Sequence, residues 1–186
     1  MRRRLQAAGE LLLVELRRGD RTLAEVEEDE LAAVVYRYSQ AAQEGAARLN
    51  LRLMAAVIAG QAFRGNLVAD EFLYYADVLA SLRREEIILV AALWRHANSP
   101  EVVALQEAER ARTAESAARC ELVPLLFATD AEFVATEGAL MRTGLITAVS
   151  GFGALLFATT PLLARLQALA PFEMALAEEA EARSSN

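Results

Sequence analysis

Lysine is absent from the chain, and all 19 basic residues are arginine. A GC-rich genome accounts for that usage more cheaply than an arginine-specific role, well as arginine suits ion pairs and anion recognition. A single cysteine, Cys120, excludes a disulfide within the chain and any Cys-rich zinc site. It fits a reducing compartment, so the sequence is read as cytoplasmic. A single histidine, His96, leaves no second imidazole to complete a metal site. Prolines number four and glycines nine in 186 residues. Few breaks are therefore imposed, and the wealth of alanine and leucine favours helix. A signal-peptide core is also missing. The stretch "MRRRLQAAGELLLVELRRGD" has a short apolar run, broken by Glu10, Glu15 and Arg17, and reads as an amphipathic helix.

Hydrophobic residues make up 55% of the chain, enough for a buried core. The formal net charge is −7, drifting from ten arginines against nine acids over 1–64 to three against seven over 129–186. That balance disfavours nucleic acid, whose binders displace counterions with a basic patch.

Apolar residues at steps of three and four predict helices over 2–18, with Leu5, Leu12, Leu13 and Leu16 on one face, and over 23–62 with a break near Gly45 or Asn50. Thr22 and Glu25 form a capping box for the second. Further helices are expected over 67–80, over the segment after a Ser81 cap, and over 100–122 from Ser99-Pro100. That last helix is Ala-rich, either solvated or a strut packing small residues on a neighbour. Pro124 ends it. Asp130 caps the next helix, which Gly144 stops. Thr160-Pro161 starts another, and "EEAEARSSN" reads as a solvated tail.

The run from Thr143 to Ala164 carries no charge. Its length suits a bilayer, but its glycines, serine and Thr-Thr-Pro do not, and no aromatic or basic anchors flank it. "GFG" lacks the remaining elements of a phosphate loop. The remaining reading is a β-hairpin turning at Ser150–Gly153. Helix, glycine stop and hairpin, as in "LMRTGLI" and its sequel, resemble a winged-helix domain over about 121–170. "AARLNLRLMAAVIAG" and "DEFLYYADVLASLRREEIILVAALWR" also resemble uncharacterised, mostly helical bacterial protein families, some phage- or defence-associated. That resemblance implies a helical body with a winged-helix-like end and carries no residue roles. The helix from Asp130 to Arg142 holds Asp130, Glu132 and Glu137 against Arg142, so phosphate would repel it.

Candidate chemistry is sparse. His96 fits a helix C-terminus better than a catalytic base. Asp70, Glu71 and Asp77, with Tyr74 and Tyr75, read as a cap with buried aromatics, because facing Glu-x-x-His pairs are missing. The acidic run 25–30 reads as a solvated helix start, and Cys120 as a small packing residue. Arg48, Arg52 and Arg64 form the one possible anion or partner surface, joined by Arg2, Arg3 and Arg4 if their helices are neighbours. Intramolecular pairing with 25–30 is the favoured alternative.

The expectation is a mainly α protein: a helical bundle over 1–120, a winged-helix-like module with one hairpin over 121–172, and a tail over 173–186. No catalytic residues, metal or cofactor are expected. A non-enzymatic protein-interaction or regulatory role follows, by self-association or through another protein. Nucleic-acid binding and membrane attachment through 143–164 are the alternatives.

Overall fold

The computed structural model describes residues 2–18, 27–151 and 153–184. Among them the chain forms nine α-helices, a short 3-10 turn and one two-stranded antiparallel sheet, a mainly α fold with a short hairpin. Two compact units result: residues up to Leu82 together with those from Leu166 onward, and Arg83–Arg165. Position 120, where the sequence reading closes its bundle, lies inside a helix of the second unit.

The first unit contains α1 (Arg2–Arg17), α2 (Glu28–Glu44), α3 (Arg48–Phe63), α4 (Ala69–Ser81) and α9 (Phe172–Ser184). The expected long helix breaks at Gly45, whose φ of 97° is a left-handed conformation that glycine adopts without a Cβ clash. α3 is apolar on most sides and is the core, with Leu53, Met54 and Val57 fully buried, and α1, α4 and α9 pack on it. A Cβ at Gly60 would stand 2.8 Å from the Leu169 carbonyl oxygen, so glycine permits close approach there. On α1 the buried face is Ala8, Leu11 and Glu15, whereas the expected Leu13 is exposed. The other three expected residues, Leu5, Leu12 and Leu16, are half-buried. The expected tail is helical to Ser184, with Phe172, Ala175 and Glu179 buried. Ser81 closes α4, its hydroxyl donating to the Val78 carbonyl, and does not cap the next helix. The Thr22–Glu25 capping box and the first residues of the acidic run lie outside the described residues.

The second unit contains α5 (Arg84–Ala97), α6 (Glu107–Leu122), α7 (Asp130–Leu140), a 3-10 turn over Met141–Thr143, β1 (Ile146–Gly151), β2 (Ala154–Thr159) and the start of α8 (Pro161–Leu169). Ser99-Pro100 opens a turn and not a helix. The amides of Val102 and Val103 bond to the Ser99 carbonyl, and α6 begins only at Glu107. Thr129, one residue before the expected Asp130, caps α7 by accepting from the Glu132 amide. Gly144, at φ 70°, stops the 3-10 turn. β1 and β2 pair from Ile146 with Thr159 to Gly151 with Ala154. Leu156 and Ala158 pack on Ala111, so α6 is the strut with small residues, and its neighbour is the hairpin. Among the described residues, no helix is long and apolar enough to cross a membrane.

Candidate functional site

In the first unit, α1 and α2 form a hairpin whose sense two contacts define. The Tyr38 hydroxyl donates to the Ala8 carbonyl at 2.9 Å. A Cβ on Gly45 would lie 2.8 Å from Arg4 Nη1. Numbers fall along α1 as they rise along α2, so the helices are antiparallel. Arg37 reaches Asp77 on α4 at 2.7 Å, which marks the α2 flank turned to α4. Leu31 and Val35 lie on the opposite flank, toward α1, given about 100° of rotation per residue. They stand level with Leu12, Leu13 and Leu16. Leu13 remains 51% exposed, Leu31 43% and Val35 39%.

Charge is divided between the two ends of this hairpin. Arg2, Arg3 and Arg4 are exposed at one end, with Arg4 beside Gly45 at the α2 C-terminus. Among the described residues the three form no ion pair. Glu27, Glu28 and Asp29 are exposed at the other end, where Arg17 pairs with no carboxylate among the described residues. Glu30 is occupied there, its carboxylate accepting the Ala69 amide.

The three arginines singled out in the sequence do not form one surface. Arg52 is buried, with Nη1 2.6 Å from Glu178 and 3.8 Å from Glu15, and Nε 4.0 Å from Glu179. Arg48, one turn earlier, lies 3.5 Å from Glu179. Arg18 joins them at 2.5 Å from Glu178. Among the described residues, the carboxylates that engage Arg48 and Arg52 come from α1 and α9. Burial raises the Glu15 pKa; Arg18 and Arg52 oppose this and Glu178 adds to it. Arg64 stands sixteen residues from Arg48, roughly 24 Å along a helix, and donates to the Ala168 carbonyl at 2.6 Å.

The remaining candidates have structural partners. His96 Nε2 lies 2.8 Å from Glu121, which also takes Arg95. Tyr75 donates to Glu71, which accepts from Gln61 as well. Cys120 is exposed and not packed. Among the described residues, no three His, Cys, Asp or Glu side chains converge to hold a metal ion.

Two features of the second unit were not singled out in the sequence. The first is a cleft of about 550 Å³ between α5, α6 and the β2–α8 junction, with Trp94, Leu105, Phe157 and Arg110 among its lining. The second is Glu137 on α7, 0% exposed, with neither carboxylate oxygen hydrogen-bonded. Burial pushes its pKa up to about 8, helped by the Glu115 charge and opposed by Arg119. Arg119 instead pairs with Glu115 at 2.6 Å and covers the Phe133 ring at 5.1 Å. A clue to Glu137 was present, since it lies in phase with Phe133 and Leu140. Nothing local marks Arg110.

The chain matches no protein-family model, no curated protein and no solved structure.

Proposed function

We propose that the chain is a non-enzymatic protein-interaction module that pairs with a second copy of itself in the cytoplasm, face to face through the α1–α2 hairpin. One observation carries this: Leu13 on α1 and Leu31 and Val35 on α2 are exposed apolar residues between a basic end and an acidic end of the pair, and on this reading they make one strip. A two-fold axis through the strip lays Arg2–Arg4 of one copy against Glu28 and Asp29 of the other, twice over. This is the self-complementarity an isologous interface requires. Two antiparallel hairpins packed in this way make a four-helix arrangement.

The winged-helix-like order of α6, α7 and hairpin invites a nucleic-acid reading. Two facts weigh against it. The chain is acidic, and Arg142, the one arginine of the α7 segment, is engaged by the buried Glu86.

Sedimentation equilibrium over a range of protein concentrations tests the proposal. A reversible monomer–dimer equilibrium is expected, weakened about tenfold or more by Leu31→Glu, which buries a charge in the strip. A mass that stays monomeric at every concentration, or a dimer indifferent to Leu31→Glu, refutes it.

A further inference from the structure

We propose that the cleft of the second unit is a binding site for an amphipathic organic acid, with one carboxylate on Arg110 and an apolar body against Trp94 and Phe157. The argument begins with what holds Arg110. Its Nε donates to the Ala97 carbonyl at 2.7 Å and its Nη2 to Asn98 Oδ1 at 2.9 Å. Asn98 is itself fixed, donating through Nδ2 to the Trp94 carbonyl at 2.8 Å. The guanidinium is thus locked to the C-terminal end of α5, the end of a helix that favours a cation. Nη1 has no hydrogen-bond partner, and Arg110 pairs with no carboxylate among the described residues. Many arginines of this chain do pair with one: Arg18, Arg37, Arg52, Arg95, Arg119 and Arg142. An immobilised cation without a counter-charge, set in a cleft, is ready for an anion.

The rest of the cleft narrows the class of that anion. Its apolar lining includes Leu93, Trp94, Leu105 and Phe157, and its volume of about 550 Å³ lies in the range of small-molecule sites. No second arginine lines it, and the one acid that does, Glu107, is exposed. Thr160, also in the lining, already bonds the Gly144 and Leu145 carbonyls and accepts the Leu163 amide. A phosphate dianion would meet one cation, a nearby carboxylate and an acidic chain. A monocarboxylate meets one charge-assisted donor and a wall of aromatic and aliphatic carbon. This inference concerns a different unit from the proposed dimer face and stands apart from it.

Trp94 is the only tryptophan of the chain, so its fluorescence reports on the cleft alone. The test titrates the full-length protein with decanoate and, separately, with decanol, both below their aggregation limits. A saturable change in Trp94 emission with decanoate is expected, with decanol bound about tenfold or more weakly, because it lacks the charge-assisted contact. In Arg110→Gln the preference for decanoate should disappear while decanol binding is retained. Should that variant lose its helical circular dichroism, the comparison in the unaltered protein still decides. Decanol bound as well as decanoate, decanoate without a saturable change, or a preference that survives in folded Arg110→Gln overturns the proposal.

Discussion

Arg142 holds both carboxylate oxygens of Glu86, Nη1 to Oε1 at 2.7 Å and Nη2 to Oε2 at 2.8 Å. Glu86 is fully buried and also accepts the Arg83 amide at the start of α5. The pair therefore ties the turn after α7 to the first turn of α5. Burial alone would raise the Glu86 pKa, but Arg142 and the Arg83 amide outweigh it and hold it below the ordinary carboxylate value. Without Arg142, Glu86 keeps the Arg83 amide and the Arg83 guanidinium at 3.4 Å. Because Arg142 is itself 45% exposed, Arg142→Met is expected to cost the second unit about 1–3 kcal/mol. Urea unfolding followed by Trp94 fluorescence measures this, and a cost below about 1 kcal/mol, the scale of an exposed pair, would contradict it.

Glu137 titrates in the opposite sense. Its folded pKa, pushed up to about 8, lies above the ordinary 4.5, so the folded chain holds a proton that the unfolded chain releases. The associated stability is fully present below pH 4.5 and is lost as pH rises toward about 8. The slope across that window is at most about 1.4 kcal/mol per pH unit. Glu137→Gln keeps the shape and removes the ionisation. It should unfold at nearly the same urea concentration at pH 5 and pH 8, after the other titrations are allowed for. An unchanged slope between those pH values would show that the buried carboxyl is not the source.

In the first unit, Arg52 engages Glu15 on α1 and both Glu178 and Glu179 on α9. Arg52→Met leaves Glu15 and Glu179 buried without it. Faster hydrogen exchange confined to α1, α3 and α9 is expected, with a stability loss of about 3–5 kcal/mol. Arg52→Lys should recover little, since one ammonium cannot replace a guanidinium fork shared among three carboxylates. Exchange rates unchanged in α9 would mean that the network does not hold that helix.

Much of the fold was legible because its breaks are local. Gly45 and Gly144 sit where a left-handed turn is required, and Thr160-Pro161 starts α8 as its chemistry dictates. The hairpin followed from an uncharged run that suited neither a bilayer nor a phosphate. The larger of the differences share a cause, which is long-range pairing. Arg52 and Glu178 lie 126 residues apart, so neither the burial of Arg52 nor the docking of α9 shows in any window. The same network holds Glu15 inside, where a sequence window shows only an acidic residue on a helix. At Ser99-Pro100 the local grammar of a helix start is present, yet the chain makes only a turn there, and Arg110 reaches back from α6 to the end of α5. The cleft depends on that contact and was therefore invisible in the sequence.

The most direct test of the dimer is a charge exchange. In one variant Arg2, Arg3 and Arg4 become Glu; in another Glu28 and Asp29 become Arg. Each then carries like charges at both ends of its α1–α2 hairpin and should sediment as a monomer. Mixed in equal amounts, the two should recover a dimer, because every acidic end again meets a basic one. Variants that dimerise alone as the parent does, or a mixture that stays monomeric while both proteins remain folded, would contradict the account.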